Sequence, residues 1–329
     1  MRNLLFFVGK SGLAIILLGA LIHFSALDLR LLVVLVQQPV LFSFALFLLL
    51  GVVVLTGYRW AMLNQSQQIV LSYRRSIWLT YVGVALNNIT PAAFGGDMFR
   101  IFYISKRFPD KKGAAWLTVL ADRVMGLIIV LLLITILGVG RYLALHHIPL
   151  SVWVGLPLMM GVGIWLALRV DIWLMSRFSL YGRIRQSIFR FNILLILRCL
   201  LISAVSQSVM TGVILVLSRM MGLTPLTFAD GMLGLGVAQI ASLIPLTPGG
   251  LGIGELAFAN SMMWLNPQLG ANQATVFFAY RLTSWLFYLP GTFGLLGKLR
   301  PASTAPQAVT ADVSRSVWYR RNASSTEPK

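Results

Sequence analysis

The chain has 329 residues, 58% of them hydrophobic and only 11% charged, with a mean hydropathy of +0.83, whereas a soluble protein carries about a quarter charged residues. A large soluble domain is therefore excluded. Lys and Arg total 27 against 9 Asp and Glu, a formal charge of +18, and the basic residues fall between apolar runs, which argues for positive-inside topology and anionic lipid heads and against nucleic acid.

Met1-Arg2-Asn3 followed by apolar sequence to Ala26 imitates a signal peptide, with Phe24-Ser25-Ala26 as its cleavage-like end. Lys10 interrupts the run and many spans follow, so an uncleaved first helix is expected. Full spans are expected at about 11–27, 39–60, 114–139, 150–168, 192–221 and 273–297. The segment 60–112 is flanked by Arg59, Arg74 and Arg75 at its start and by Arg100, Lys106, Arg107, Lys111 and Lys112 at its end. Both ends belong on the cytoplasmic side. The apolar stretch between them, about 76–96, contains Pro91 and a glycine pair, and should dip into the membrane and return. A second interrupted stretch, about 228–266, has almost no flanking positive charge and should enter from the other side. Residues 169–190, with Trp173, Phe178, Tyr181 and Phe189, suit a basic interfacial helix. From Pro301 onward the composition is that of a disordered cytoplasmic tail.

The order span, span, re-entrant segment, span thus occurs twice. An odd number of spans per half inverts the second half relative to the first. Drawing each re-entrant segment as two full spans gives five per half, still odd. The expected fold is an all-α polytopic membrane protein, with about six full spans, two re-entrant broken helices and an inverted-topology repeat. The membrane domain covers 1–300, with halves of roughly 1–145 and 146–300, and the tail covers 301–329. The Lys and Arg distribution places both termini inside.

Two motifs correspond. Thr90-Pro91-Ala92-Ala93-Phe94-Gly95-Gly96-Asp97 recurs in altered form as Thr247-Pro248-Gly249-Gly250-Leu251-Gly252-Ile253-Gly254-Glu255. Proline and glycine interrupt a membrane helix, and the acid then opens a short second helix. Backbone broken at membrane depth is tolerated only where protein buries it or where it lines a wet cavity. Paired breaks in corresponding halves point to a substrate site.

Asp97 and Arg100, three apart, share a helix face. Asp97 could merely complement the helix dipole, but the glycine pair and Arg100 also suit an anion. Glu255 lies deep in apolar sequence, where an unpaired charge costs about 2.5–3.5 kcal/mol, so it should face protein or water. Asp122 and Arg123 sit in the third span and Arg281 at similar depth in the last. These charges can form either a mutually neutralising network or the lining of a headgroup pathway. Asn87, Asn88 and Gln239 add uncharged polarity. One cysteine, Cys199, and three histidines without clustering leave no internal disulfide and no expected metal or cofactor. A catalytic triad and a nucleotide loop are both missing from the pattern, so no enzyme is expected.

From Asn87-Asn88-Ile89-Thr90-Pro91 through Gly95-Gly96-Asp97 and Arg100, then Asp122-Arg123, then Ile244-Pro245-Leu246-Thr247-Pro248-Gly249-Gly250-Leu251-Gly252 with Glu255, the chain resembles a known family. It is similar to the lysylphosphatidylglycerol synthase transmembrane-region family of flippase-like membrane proteins, over about residues 10–300. The resemblance implies movement of an anionic or zwitterionic lipid between leaflets of a bacterial inner membrane: a phospholipid, an aminoacylated phospholipid or a polyprenyl-linked glycolipid. The aminoacyl-transferase domain of fused members has no counterpart here, which sets lysyl transfer aside and leaves the cargo open. The expected partners are membrane lipids and an enzyme of lipid or glycan biosynthesis. Two other readings stand beside this one, an embedded transferase using Asp97 or Glu255 as base and a non-transporting accessory subunit.

Overall fold

The first long helix begins at Pro39, where the missing N–H is no loss and φ is already helical, and its apolar run continues to Ser66 (α1, Pro39–Ser66). Gln67 and Gln68 turn the chain, Gln68 at a φ of 58°. The computed structural model describes residues 12, 15–23, 27–89, 95–145, 191–243, 247–266 and 272–298. Residues 15–23 are helical, and a 3-10 turn (Leu29–Val33) and a single helical turn (Val34–Gln37) lead into α1. After it come α2 (Tyr73–Ile89), α3 (Gly95–Arg107), a 3-10 turn at Pro109–Lys111 and α4 (Lys112–Leu145). The second series has α5 (Ile193–Met220), α6 (Phe228–Ser242), a 3-10 turn at Pro248–Gly250, α7 (Ile253–Leu265) and α8 (Gln273–Lys298). The expected span 150–168, the linker 169–190, the tail 301–329 and the motif residues Thr90 and Pro91 lie outside the described residues. The described residues up to Thr292 belong to one compact unit.

Among the described residues every regular element is helical, and three are long and apolar enough to cross a membrane: α1, the segment Pro109–Gly140 that contains most of α4, and α5. Their outer faces are apolar. Phe44, Phe47, Val54 and Tyr58 point outward from α1, and Trp116, Leu120, Val124, Leu132 and Ile136 from α4, at helical spacing. Such stripes in water would be an aggregation liability, and in a bilayer they face lipid tails. The protein is an all-α membrane protein.

Both interrupted stretches are helical hairpins. In the first, Gly96 N–H donates to Asn87 Oδ1 at 2.8 Å, and Arg100 carbons pass within 3.6 Å of where a Gly83 Cβ would stand. Rising numbers on α3 meet falling numbers on α2, so the arms are antiparallel. In the second, Gly254 lies against Ser242 and Gly234 against Phe258, again antiparallel. At 1.5 Å per residue the α3 and α7 arms reach about 20 Å, short of a hydrocarbon core of about 30 Å. The chain therefore turns back between α2 and α3 and again between α6 and α7, as the sequence suggests. Lys111 Nζ donates to the Gln68 carbonyl, which brings the end of α1 and the start of α4 to one end of the bundle.

The order long helix, hairpin, long helix occurs twice, and α1 and α5 open the two series. These two helices pack side by side. Gln38 bonds to Met220, Gly51 lies near Val209, and Arg59 bonds to Ser203. Rising numbers again meet falling ones, so α1 and α5 are antiparallel and the second series runs inverted relative to the first. Cross-packing follows the same symmetry. Tyr81 on α2 donates to the Phe287 carbonyl on α8 at 2.6 Å, while Gly236 on α6 rests on Ile134 of α4. The main core, including Leu49, Ile134, Leu217, Leu235, Phe258 and Phe277, lies where both series meet.

Candidate functional site

The second helix of each hairpin begins with a carboxylate, and the following long helix supplies its arginine. In the first series Asp97, at the start of α3, receives Arg100 Nη2 at 2.6 Å on Oδ1 and Arg123 Nε at 2.7 Å on Oδ2. Arg100 turns its other nitrogen, Nη1, to Asp122 Oδ2 at 3.2 Å. Asp122 in turn takes Arg59 from α1, whose Nε and Nη2 both stand 2.8 Å from Oδ1. Arg59 also donates to the Asp122 carbonyl at 3.1 Å and to Ser203 Oγ at 2.5 Å. The result is one unbroken line from α5 to α4: Ser203, Arg59, Asp122, Arg100, Asp97, Arg123. Arg100 also lies over the Trp60 ring, with Cζ 5.0 Å from its centroid. All the charged members are buried except Arg123, whose side chain is 43% exposed.

Glycine makes the α3 end of this line possible. A Cβ on Gly96 would stand 2.6 Å from Gly83 Cα and closer still to its carbonyl. At position 96 only a bare backbone fits this crossing, and that closeness sets the height at which Asp97 and Arg100 meet α4.

In the second series Glu255 Oε2 accepts the Gly252 N–H at 2.7 Å, capping α7, and Oε1 lies 2.9 Å from Arg281 Nε on α8. That second approach is electrostatic, since neither atom meets the angle of a directed hydrogen bond. Arg281 also donates from Nη1 to the Gly249 carbonyl and from Nη2 to the Gly250 carbonyl at 3.3 Å. It thus holds the break in place, where Gly249, Gly250 and Gly252 take φ of 60°, 71° and 80°. These are left-handed values that favour glycine. Thr247 is buried, and its Oγ1 has no hydrogen-bond partner among the described residues. Leu17, from the helical stretch at 15–23, stands 2.6 Å from where a Gly252 Cβ would be. Here the pair is sealed: Glu255 is 0% exposed and Arg281 11%.

The structure therefore gathers the site residues read from sequence into two clusters. Asp97, Arg100, Asp122 and Arg123 form one, opened by Gly95 and Gly96. Glu255 and Arg281 form the other, around Thr247, Pro248, Gly249, Gly250 and Gly252. No ion pair joins the clusters among the described residues.

The family described as the lysylphosphatidylglycerol synthase TM region matches residues 7–291. The chain belongs to that family. The match takes in both hairpins and every charged residue of the two clusters. A UPF0104 membrane protein of Methanocaldococcus jannaschii is 30% identical over 107 residues, 32% of this chain and 32% of that protein. The aligned stretch thus spans about a third of that relative. No solved structure matches the chain.

Within this lysylphosphatidylglycerol synthase TM-region protein, three members of the first cluster escape a reading of the sequence: Arg59, Trp60 and Ser203. Arg59 looks like a loop charge that orients α1, because it closes an apolar run and precedes a basic segment. It is instead buried, because Asp122 waits 63 residues later on a helix packed against it. The one available signal was that α1 continues past Arg59 in unbroken helix-forming sequence to Ser66. Gln207 and Gln239 add a neutral counterpart, bonded side chain to side chain at 2.9 Å between α5 and α6.

Proposed function

We propose that this protein moves a polar-headed lipid between the two leaflets of a bacterial inner membrane, with both termini cytoplasmic. The observation that carries the reading is the pair of inverted series, each broken by a hairpin whose returning helix starts on a buried carboxylate held by an arginine of the next long helix. Charged groups at membrane depth are expensive and are kept facing protein or water. Broken helices related by inversion are how transporters present such groups to a substrate. Membership of a lipid-related membrane family supports the same reading. The acyl chains have somewhere to lie: an apolar groove of about 600 Å³ runs between α1 and α5, lined by Phe44, Leu48, Val205, Val209, Gly212 and Val216.

The protein acts here as a carrier without a chemical step of its own, so movement is downhill or coupled to an ion. The test is reconstitution of the purified chain in proteoliposomes with fluorescent phospholipids, followed by chemical quenching of the outer leaflet. Transport should require the protein, should fail with Gly250→Leu, and should survive Gly19→Leu, where no atom lies within 4 Å of the added carbon. Equal loss at both positions would show general packing sensitivity and no site, and no transport without a second protein would favour an accessory role. A lipid product that forms only when a donor is supplied would favour a transferase.

A further inference from the structure

Three arginines and two aspartates make up the first cluster, so one positive charge there has no counter-ion. The structure shows which one. Arg59 is fully engaged by Asp122 and Ser203, and Arg100 spends both terminal nitrogens on two aspartates. Arg123 makes a single bond, through Nε, and its two Nη groups donate to no other described residue. It is also the half-exposed member, while its companions are buried.

Asp97 is placed to let Arg123 go. Its Oδ1 is held by Arg100, while only Oδ2 faces Arg123. When Arg123 turns to another anion, Asp97 keeps a buried partner, so the exchange avoids the large cost of stranding a carboxylate without a cation. The shortage of acceptors extends into the buried part of the cluster, where Arg100 Nε and Trp60 Nε1, both donors, lack partners. Acids are scarce nearby. In the sequence 27–145 the further carboxylates are Asp28 and Asp110, against Arg30, Arg74, Arg75, Lys106, Arg107, Lys111, Lys112 and Arg141.

We propose that Arg123 is the anion-binding residue of the translocation site, that it turns from Asp97 to take a phosphate oxyanion in its guanidinium fork, and that Asp97 holds Nε in the anion's place between turnovers. A guanidinium fork suits two oxygens of one phosphate, which lysine cannot match. The phosphate could belong to a lipid headgroup or be free in solution. The inference rests on the translocation reading only for the lipid as its source.

The test is calorimetric binding to the full chain in detergent. The probes are dioctanoyl phosphatidylglycerol, inorganic phosphate and, as an uncharged control, dioctanoylglycerol, with lipid movement in proteoliposomes measured alongside. Arg123→Gln should weaken phosphatidylglycerol binding tenfold or more without loss of fold, because the side chain is half exposed. Asp97→Asn removes the competitor and should tighten binding about two- to fivefold, the scale of a partly exposed ion pair, while slowing movement. If Asp97→Asn does not fold, Arg123→Lys replaces it and should bind more weakly than the wild type despite keeping its charge. Phosphatidylglycerol bound in preference to both other probes identifies the lipid as source, and inorganic phosphate binding equally well identifies the free ion. Binding that Arg123→Gln leaves intact, or that Asp97→Asn weakens, overturns the proposal. Lipid movement with no phosphate-dependent binding overturns it too but leaves the translocation reading standing, and binding without movement does the reverse.

Discussion

Replacing Gly96 by alanine adds one methyl group at the point where the first hairpin is tightest. The new carbon would stand 2.6 Å from Gly83 Cα and overlap the Gly83 carbonyl, whereas carbon atoms rest at about 3.5–4.0 Å. The obstruction is backbone, so no rotamer change relieves it, and the arms of the hairpin must part by about 1–1.5 Å. A gap of that size forfeits about half or more of each contact's dispersion energy. Overpacking ordinarily costs about 1–3 kcal/mol, and this site belongs at the upper end. Separation also stretches the Gly96 N–Asn87 Oδ1 bond, worth about 1 kcal/mol. The expected total is about 3–4 kcal/mol. The crossing is asymmetric, which supplies an internal control: a Cβ on Gly83 would meet its neighbours at 3.4–3.6 Å, which is ordinary contact. Thermal unfolding of the full chain in detergent should show Gly96→Ala strongly destabilised, Gly83→Ala mildly so, and Gly113→Ala, with open space around it, no worse than the wild type. Gly96→Ala melting together with Gly113→Ala would refute the reasoning.

The other expectations follow from charge and topology. Arg281→Ala strands Glu255 in a fully buried position and should cost about 3–5 kcal/mol in detergent stability, and the double change Glu255→Gln with Arg281→Gln should recover most of it. Glu255→Gln alone keeps an oxygen for Gly252 N–H, so it should fold yet fail to move lipid in proteoliposomes. Normal movement would remove Glu255 from the mechanism. Arg59→Gln, with three buried acceptors lost, should destabilise by about 3–5 kcal/mol. Arg123→Gln should cost under about 1 kcal/mol, and equal melting shifts would contradict the difference in burial. Cysteines at Gln65 and Lys111, in a chain with Cys199 replaced, should label only from the cytoplasm. Labelling from opposite sides would mean that the first hairpin crosses the membrane.

The hairpins were legible in the sequence because their cause is local. Proline and glycine inside an apolar run leave the backbone few options, and basic residues at both ends of 60–112 require an even number of crossings. Asp97 with Arg100 was legible for the same reason, being one turn apart. Inversion followed from counting spans, and the antiparallel meeting of α1 and α5 gives it a physical form. Arg59 with Asp122 was not legible. Apart from the helix-forming sequence that carries α1 on to Ser66, nothing in either residue's neighbourhood distinguishes a buried arginine from a loop arginine, and the difference lies in which helices touch. Arg281 could be matched to an acid in number only. Its part in pinning the Gly249 and Gly250 carbonyls depends on a left-handed loop that the glycines permit but do not by themselves position.

The backbone N–H of Asp28 donates to Thr275 Oγ1 at 2.8 Å, across 247 residues of chain. Leu21 and Leu27 likewise share a small apolar cluster with Ala259 and Ala274. At about 5–20 residues per second, a ribosome needs on the order of ten seconds or longer to make the intervening stretch. During that time the first membrane segment has none of these late-made partners and waits exposed to lipid or to an insertion factor. These contacts close only when α8 arrives and brings Ala274 and Thr275 against the segment that holds Leu21, Leu27 and Asp28. A ribosome stalled before residue 275 should therefore leave a nascent chain whose first segment is open to crosslinking with the insertion machinery, and extension past that point should release it.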